Sequence, residues 1–169
     1  MVDTKPDAIA LLKADHRLVE GLFEQFEAAS GDGKKQKIAL RICMELTIHA
    51  KIEEEIFYPA CEGKIDEDLL KEAYVEHDGA KMLIAEIEAG TPSDEFYDAK
   101  VSVLGEQIEH HVGEEEMRME GMFSQARKAG LDMIALGQQL LVRKEALTAE
   151  YKANGLPKPE TTTLTATQV

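Results

Sequence analysis

Apolar residues recur every three to four positions along almost the whole chain, and no stretch alternates long enough to suggest a sheet. The pattern predicts a first helix over about residues 6–29, capped by Thr4, with an inward stripe of Ile9, Leu12, His16, Val19, Phe23 and Phe26. Ser30-Gly31-Asp32-Gly33 reads as a turn. A second helix is expected over about 34–61, broken near its end by Pro59, and a third over about 66–89, stopped by Gly90. Thr91-Pro92-Ser93-Asp94 reads as the cap and first turn of a fourth helix reaching about residue 128. After Gly130 a fifth helix is expected over 131–151. The closing GLPKPETTTLTATQV, with its prolines and threonines, has little to bury and reads as a disordered tail.

An internal repeat organises these elements. His16 is followed eleven residues later by Glu27-Ala28, and His77 eleven residues later by Glu88-Ala89. His16 stands 33 residues before His49, and His77 stands 34 before His111; each later histidine has a glutamate four residues on, Glu53 and Glu115. Two similar hairpins, each with His on its first helix and His-x-x-x-Glu on its second, predict an all-α, up-down-up-down four-helix bundle. The expected layout is one helical unit over 1–151, with its core at 7–128 and an additional C-terminal helix at 131–151, then the tail at 152–169.

The histidines fall on the apolar faces. His49 lies with Ile42, Leu46, Ile52 and Ile56; His77 follows Leu70 and Tyr74 and precedes Ile84; His111 follows Leu104 and Ile108. Counted from the connecting turns, the four stand at similar heights, except that His77 and His111 differ by about five residues, roughly 7 Å along a helix. Residues four apart share a helix face, so Glu53 and Glu115 follow their histidines inward. A lone inward histidine is ordinarily a tolerated core residue. Two carboxylates beside four imidazoles inside one bundle are costly unless cations share them. Imidazole with carboxylate suits iron, with manganese or zinc as competitors.

Composition narrows the function. The chain has 169 residues and a formal charge of -14, from 33 acidic against 19 basic residues. That field repels phosphate backbones and anionic lipid, so neither nucleic acid nor membrane is an expected partner. No apolar run reaches spanning length and the first residues carry no signal-peptide pattern, so a cytoplasmic location is expected. Cys43 and Cys61, eighteen helical residues apart, are too distant to bridge and read as reduced structural thiols. No Glu-x-x-His, Cys-x-x-Cys-His or phosphate-binding glycine loop occurs.

DHRLVEGLF at 15–23, HAKIEEEIFYP at 49–59, EHDGAK at 76–81 and HHVGEEEMRMEGMF at 110–123 together resemble the hemerythrin and HHE cation-binding family over about residues 7–126. The resemblance implies two iron ions in an oxo- or hydroxo-bridged di-iron centre. His16, His49, His77 and His111 match the terminal ligands, and Glu53 and Glu115 the bridging carboxylates. One departure matters: where oxygen carriers have a further histidine one turn after the third-helix histidine, this chain has Lys81. Its repeat-mate Glu20 reads equally as a further ligand and as an ordinary helix carboxylate, and Tyr74 as a weaker candidate than core packing. His110 faces about 100° from His111 and is not expected to ligate. Glu54, Glu55, Glu114 and Glu116 read as an acidic rim, solvated or supporting the ligands.

The leading expectation is therefore a non-haem di-iron protein that binds or reacts with O2, peroxide or nitric oxide, with sensing or peroxide consumption at least as well supported as oxygen carriage. An iron buffer or sensor without turnover is the alternative, and a metal-free helical interaction module ranks last. Nothing in the sequence identifies a protein partner or decides whether the chain is an enzyme.

Overall fold

The computed structural model describes residues 5–165, and these form an all-helical fold with no strand. α1 (Ala8–Ala28) and α2 (Asp32–Ile52) make the first hairpin; α4 (Glu67–Ala89) and α5 (Tyr97–Glu116) make the second. Between the hairpins, a π-helical turn (Glu53–Phe57) runs straight into a short α3 (Tyr58–Cys61). α6 (Met122–Lys128) and α7 (Met133–Asn154) follow. α1 packs on α2, α2 on α4, α4 on α5 and α5 back on α1, while α7 lies against α1 and α2. No helix among the described residues is long and apolar enough to cross a membrane.

The ends of these helices carry local signals. Asp7 caps α1 by accepting from the Ala10 N–H at 3.1 Å, and Asp66 and Asp132 cap α4 and α7 in the same way. Thr4, the expected cap, lies outside the described residues. Pro59 does not break the second helix. The π turn before it widens the backbone, so the missing N–H and the ring are accommodated early in α3. The expected fourth helix is interrupted: α5 ends at Glu116, and the chain turns through 117–121 before α6. Gly121 permits that turn, because a Cβ there would stand 2.5 Å from the Met117 carbonyl oxygen and 2.8 Å from that of Glu115. The fourth helix also starts later than expected, at Tyr97. His77 then lies 12 residues from the end of α4 and His111 14 residues from the start of α5, which removes most of the predicted height mismatch.

The apolar core comes in two clusters, and α1, α2 and α4 each change cluster at their histidine. Ile9 and Leu12 precede His16 in one cluster, and Val19 and Leu22 follow it in the other. α2 passes from Ile42 and Leu46 to Ile48 and Ile52 around His49, and α4 from Ala73 to Ala80 around His77. A polar layer thus divides the core. Burying each large aliphatic or aromatic side chain stabilises the fold by about 1.5–3 kcal/mol, so the clusters on both sides can carry an expensive middle.

The segment after α7 departs from the expectation of disorder in its described part. Gly155 closes α7 in the left-handed region (φ 79°), and the following residues cross to α4. There the fully buried Asp78 carboxylate accepts the backbone N–H groups of Thr162, Thr163 and Leu164. Ordered backbone donors on a buried acceptor supply what composition could not reveal.

Candidate metal centre

The polar layer is built from one histidine on each of four helices: His16 on α1, His49 on α2, His77 on α4 and His111 on α5. All four are buried, and so are Glu53, at the start of the π turn, and Glu115, in the last turn of α5. His16 Nε2 stands 3.1 Å from His49 Nε2, and His77 Nε2 stands 3.2 Å from His111 Nε2. Both carboxylates span the two pairs. Glu53 turns Oε1 to His49 Nε2 at 3.1 Å and Oε2 to His77 Nε2 at 3.2 Å. Glu115 turns Oε2 to His16 Nε2 at 3.2 Å and Oε1 to His111 Nε2 at 3.4 Å.

Behind every imidazole stands a second carboxylate, always from a neighbouring helix. His49 Nδ1 faces Asp15 at 3.2 Å, His77 Nδ1 faces Glu54 at 3.0 Å and His111 Nδ1 faces Glu76 at 2.5 Å. His16 Nδ1 faces Glu116 at 3.5 Å, a charge contact rather than a hydrogen bond. The order runs α1 to α2, the π turn to α4, α4 to α5 and α5 to α1, closing a circle. A carboxylate opposite Nδ1 holds the proton there in a neutral ring, which leaves the Nε2 lone pair aimed inward.

That inward set lacks protons to satisfy it. Among the described residues, the inward Glu53 Oε1 and Glu115 Oε2 are buried with no hydrogen-bond partner, as is His16 Nδ1 on the outer side of its ring. The Tyr58 hydroxyl donates to Glu115 Oε1 at 2.9 Å and also lies 3.2 Å from Glu53 Oε2 and 3.1 Å from His77 Nε2, but it has one proton for all of them. Without metal, charge is balanced by protons on imidazole. Burial pulls His49 down, yet the Glu53 and Asp15 charges push it up to about 10. His111 is raised by Glu115 and Glu76 against the same burial. Burial raises Glu53, but His49 and His77 hold it well below the usual carboxylate range. Burial and the Glu53 charge raise Glu115, but His111 and His16 bring it down to about 2. Cations fit here: ligand atoms of His16, His49, Glu53 and Glu115 lie within 4.8 Å of one another, as do those of Glu53, His77 and His111. Glu53 belongs to both groups.

All six residues singled out in the sequence are therefore brought together, and their neighbours are placed as follows. Glu20 is partly exposed and pairs with Arg17 at 3.2 Å, away from the layer. Tyr74 packs edge-on against Tyr58 and does not reach the carboxylates. Lys81 places its ammonium 2.9 Å from Glu54 and so braces the carboxylate behind His77. His110 is exposed and pairs with Glu76 and Glu114, while Glu55 pairs with Arg143 of α7.

Sequence reasoning missed Tyr58 and the part played by Asp15 and Glu76. Tyr58 stands five residues after Glu53, which an α-helix rotates about 140° away. The π turn closes a bond from the Tyr58 N–H to the Glu53 carbonyl and returns the phenol to the site. A signal for the carboxylate circle was present: an acid directly precedes His16 and His77, and another directly follows Glu53 and Glu115.

Fold and site define a helical protein with a buried histidine–glutamate cluster able to hold metal. The Hemerythrin HHE cation binding domain model matches residues 7–123, and the chain belongs to that family. A curated relative, the DNA nickase of Nostoc sp. (strain PCC 7120 / SAG 25.82 / UTEX 2576), is 31% identical over 106 residues, 63% of this chain. The match spans only 30% of that relative's length. The crystal structure of a hemerythrin HHE cation binding domain-containing protein from Mycobacterium kansasii aligns with a TM-score of 0.73 at 21% identity. It covers 89% of this chain and 95% of that one, a likeness of fold.

Proposed function

We propose that the chain holds two iron ions in its polar layer and that this centre binds or reacts with O2, peroxide or nitric oxide. One observation carries the reading: each of two carboxylates gives one oxygen to each of two imidazole pairs, so two cations share both bridges. His16 and His49 serve one position and His77 and His111 the other. The closed order of helix contacts supports an up-down-up-down bundle as their frame.

Two ferrous ions would supply two electrons at one place, the requirement of a two-electron oxidant. The remaining work falls to the chain. Asp15, Glu54, Glu76 and Glu116 orient the imidazoles, and the apolar clusters above and below limit water. The Tyr58 hydroxyl, on the His77–His111 side, can give a proton to Glu115 Oε1 or to a ligand arriving there.

The nicking activity named for the Nostoc relative is not carried over, since the matched part is a minor share of that protein and a charge of -14 repels a phosphate backbone. A second reading, iron buffering or sensing without turnover, is favoured by one contact. Lys144 of α7 pairs with Asp15, which holds His49, so α7 touches the centre through one intermediary.

The test is anaerobic reconstitution with ferrous iron, metal analysis, and then exposure to air. The reading expects two iron ions per chain and a new near-ultraviolet charge-transfer band, with His49→Ala and His111→Ala each losing iron. Absence of bound iron in the folded wild type rejects it. Bound iron without a spectral response to any of the three oxidants leaves the buffer.

A further inference from the structure

A cavity of about 460 Å³ reaches all four histidines. Its opposite wall is residues 156–162, the segment that leaves α7 at Gly155. The way this segment is held is specific. Asp78 accepts the Thr162 N–H at 3.0 Å, the Thr163 N–H at 2.5 Å, the Leu164 N–H at 3.0 Å and the Thr163 hydroxyl at 2.7 Å. Lys81 donates to the Glu160 carbonyl at 3.1 Å. At the near end, Leu156 packs against both apolar clusters.

The sequence suits a strap. Pro157 and Pro159 fix φ and carry no N–H, so the chain crosses the cavity with little entropy to lose and few donors to satisfy. Gly155, at φ 79° with open space around its Cβ direction, supplies the pivot. Asp78 is the neighbour of His77 in the chain, and Lys81 also pairs with Glu54, which holds His77 Nδ1. The fastening is therefore anchored on the same turn of α4 as a residue of the polar layer.

We infer that residues 156–164 are a hinged strap roofing the cavity, latched by Asp78, and that the closed strap admits only small ligands to the histidines. The size selection rests on the metal reading above, whereas the latch itself does not.

Thr163→Pro tests the latch from the exposed side, removing the N–H and the hydroxyl that Asp78 accepts while leaving every helix intact; Asp78→Asn tests it from the other. The 169-residue chain is loaded with ferrous iron under anaerobic conditions, and two rates are followed: iron extraction by a bulky sulfonated phenanthroline, and azide binding after oxidation. Two lost hydrogen bonds to a charged acceptor raise the open population by about a hundred- to ten-thousandfold. Extraction should accelerate by that factor while azide binding stays unchanged. In a separate arm without metal, a Glu-specific protease should cut after Glu160 faster in both variants. Equal cutting in wild type and both variants overturns the latch. Equal acceleration for azide and the chelator overturns the size selection. A wild type that holds no iron rejects the metal reading, and the protease arm still decides the strap.

Discussion

Asp15 and Glu20 stand five residues apart on α1, and the structure gives them opposite parts. Asp15 is nearly buried, accepts from His49 Nδ1 at 3.2 Å and pairs with Lys144; Glu20 meets only Arg17 at the surface. Removing a carboxylate behind a ligating imidazole typically costs 10–100-fold in metal affinity, about 1.4–2.8 kcal/mol. Asp15→Ala should fall at the lower end, near tenfold. The cavity borders Asp15, so water can reach the freed Nδ1–H, and Lys144, partly exposed, can turn to solvent. Burial pushes the Asp15 carboxyl up, but its bonds to His49 and Lys144 bring it below the usual range, so the charge is present at neutral pH. The assay is competition for ferrous iron, or for zinc as a spectroscopically silent stand-in, against a chromophoric chelator of known affinity. Urea melts of the metal-free variant run alongside, so that lost stability is not misread as lost affinity. Glu20→Ala should leave affinity within a factor of two. An unchanged affinity in Asp15→Ala, or an equal loss in Glu20→Ala, would refute the assignment of the histidine supports.

Three further outcomes are expected. Gly137→Ala should destabilise by about 1–3 kcal/mol despite the better helix propensity of Ala, because its Cβ would meet the Pro6 carbonyl oxygen at 1.9 Å; Gly21→Ala, with nothing within 4 Å, should stabilise by a few tenths to about 1 kcal/mol. Urea midpoints of the two variants moving in the same direction would contradict this. Cys43 and Cys61 are buried and free, and burial pushes both thiols up to about 12, so the folded chain should resist a thiol reagent at pH 8 and react fully in denaturant. Asp7→Ala should cost about 1 kcal/mol at pH 7 through the lost α1 cap. Burial raises Asp7, but Arg127 and the Ala10 N–H lower it below its unfolded value of about 3.9, so its contribution is full above that value and lost as pH falls through the folded pKa. The gap between wild type and variant should therefore close in acid melts.

How far the sequence could be read follows from what each feature depends on. His16, His49, His77, His111, Glu53 and Glu115 were legible because helical spacing alone turns them inward, and the repeat placed them in two equivalent hairpins. The apparent height mismatch between His77 and His111 came from starting the fourth helix at Thr91; the turn takes up 90–96, and no local signal separated its Asp94 from a helix cap. Tyr58 was hidden because its position depends on a change of helical period at 53–57, which apolar spacing does not report over five residues. Asp15 and Glu76 were hidden for another reason. Each lies about 100° round its own helix from the adjacent histidine, a direction that looks peripheral until the next helix is known to bring its own imidazole there. The strap escaped notice because threonine and proline say nothing about a buried acceptor on α4.

The carboxylate circle also bears on how this chain can fold before any metal arrives. Two of its contacts, Asp15 with His49 and Glu76 with His111, close inside one hairpin; the other two, Glu54 with His77 and Glu116 with His16, cross between hairpins. Neither hairpin alone can present four oriented imidazoles. The assembled layer need not wait for cations, because protons on His49 and His111 already stand opposite Glu53 and Glu115. Ions entering the layer would take the Nε2 positions those protons hold, so on the proposed reading loading would be an exchange of protons for metal within a formed bundle. Apolar clusters on both sides of the layer keep the bundle formed meanwhile. This separates the chain from small domains whose metal supplies most of the folding free energy. Metal-free protein should already melt cooperatively, and iron should raise its melting temperature while releasing protons that a weakly buffered titration can count.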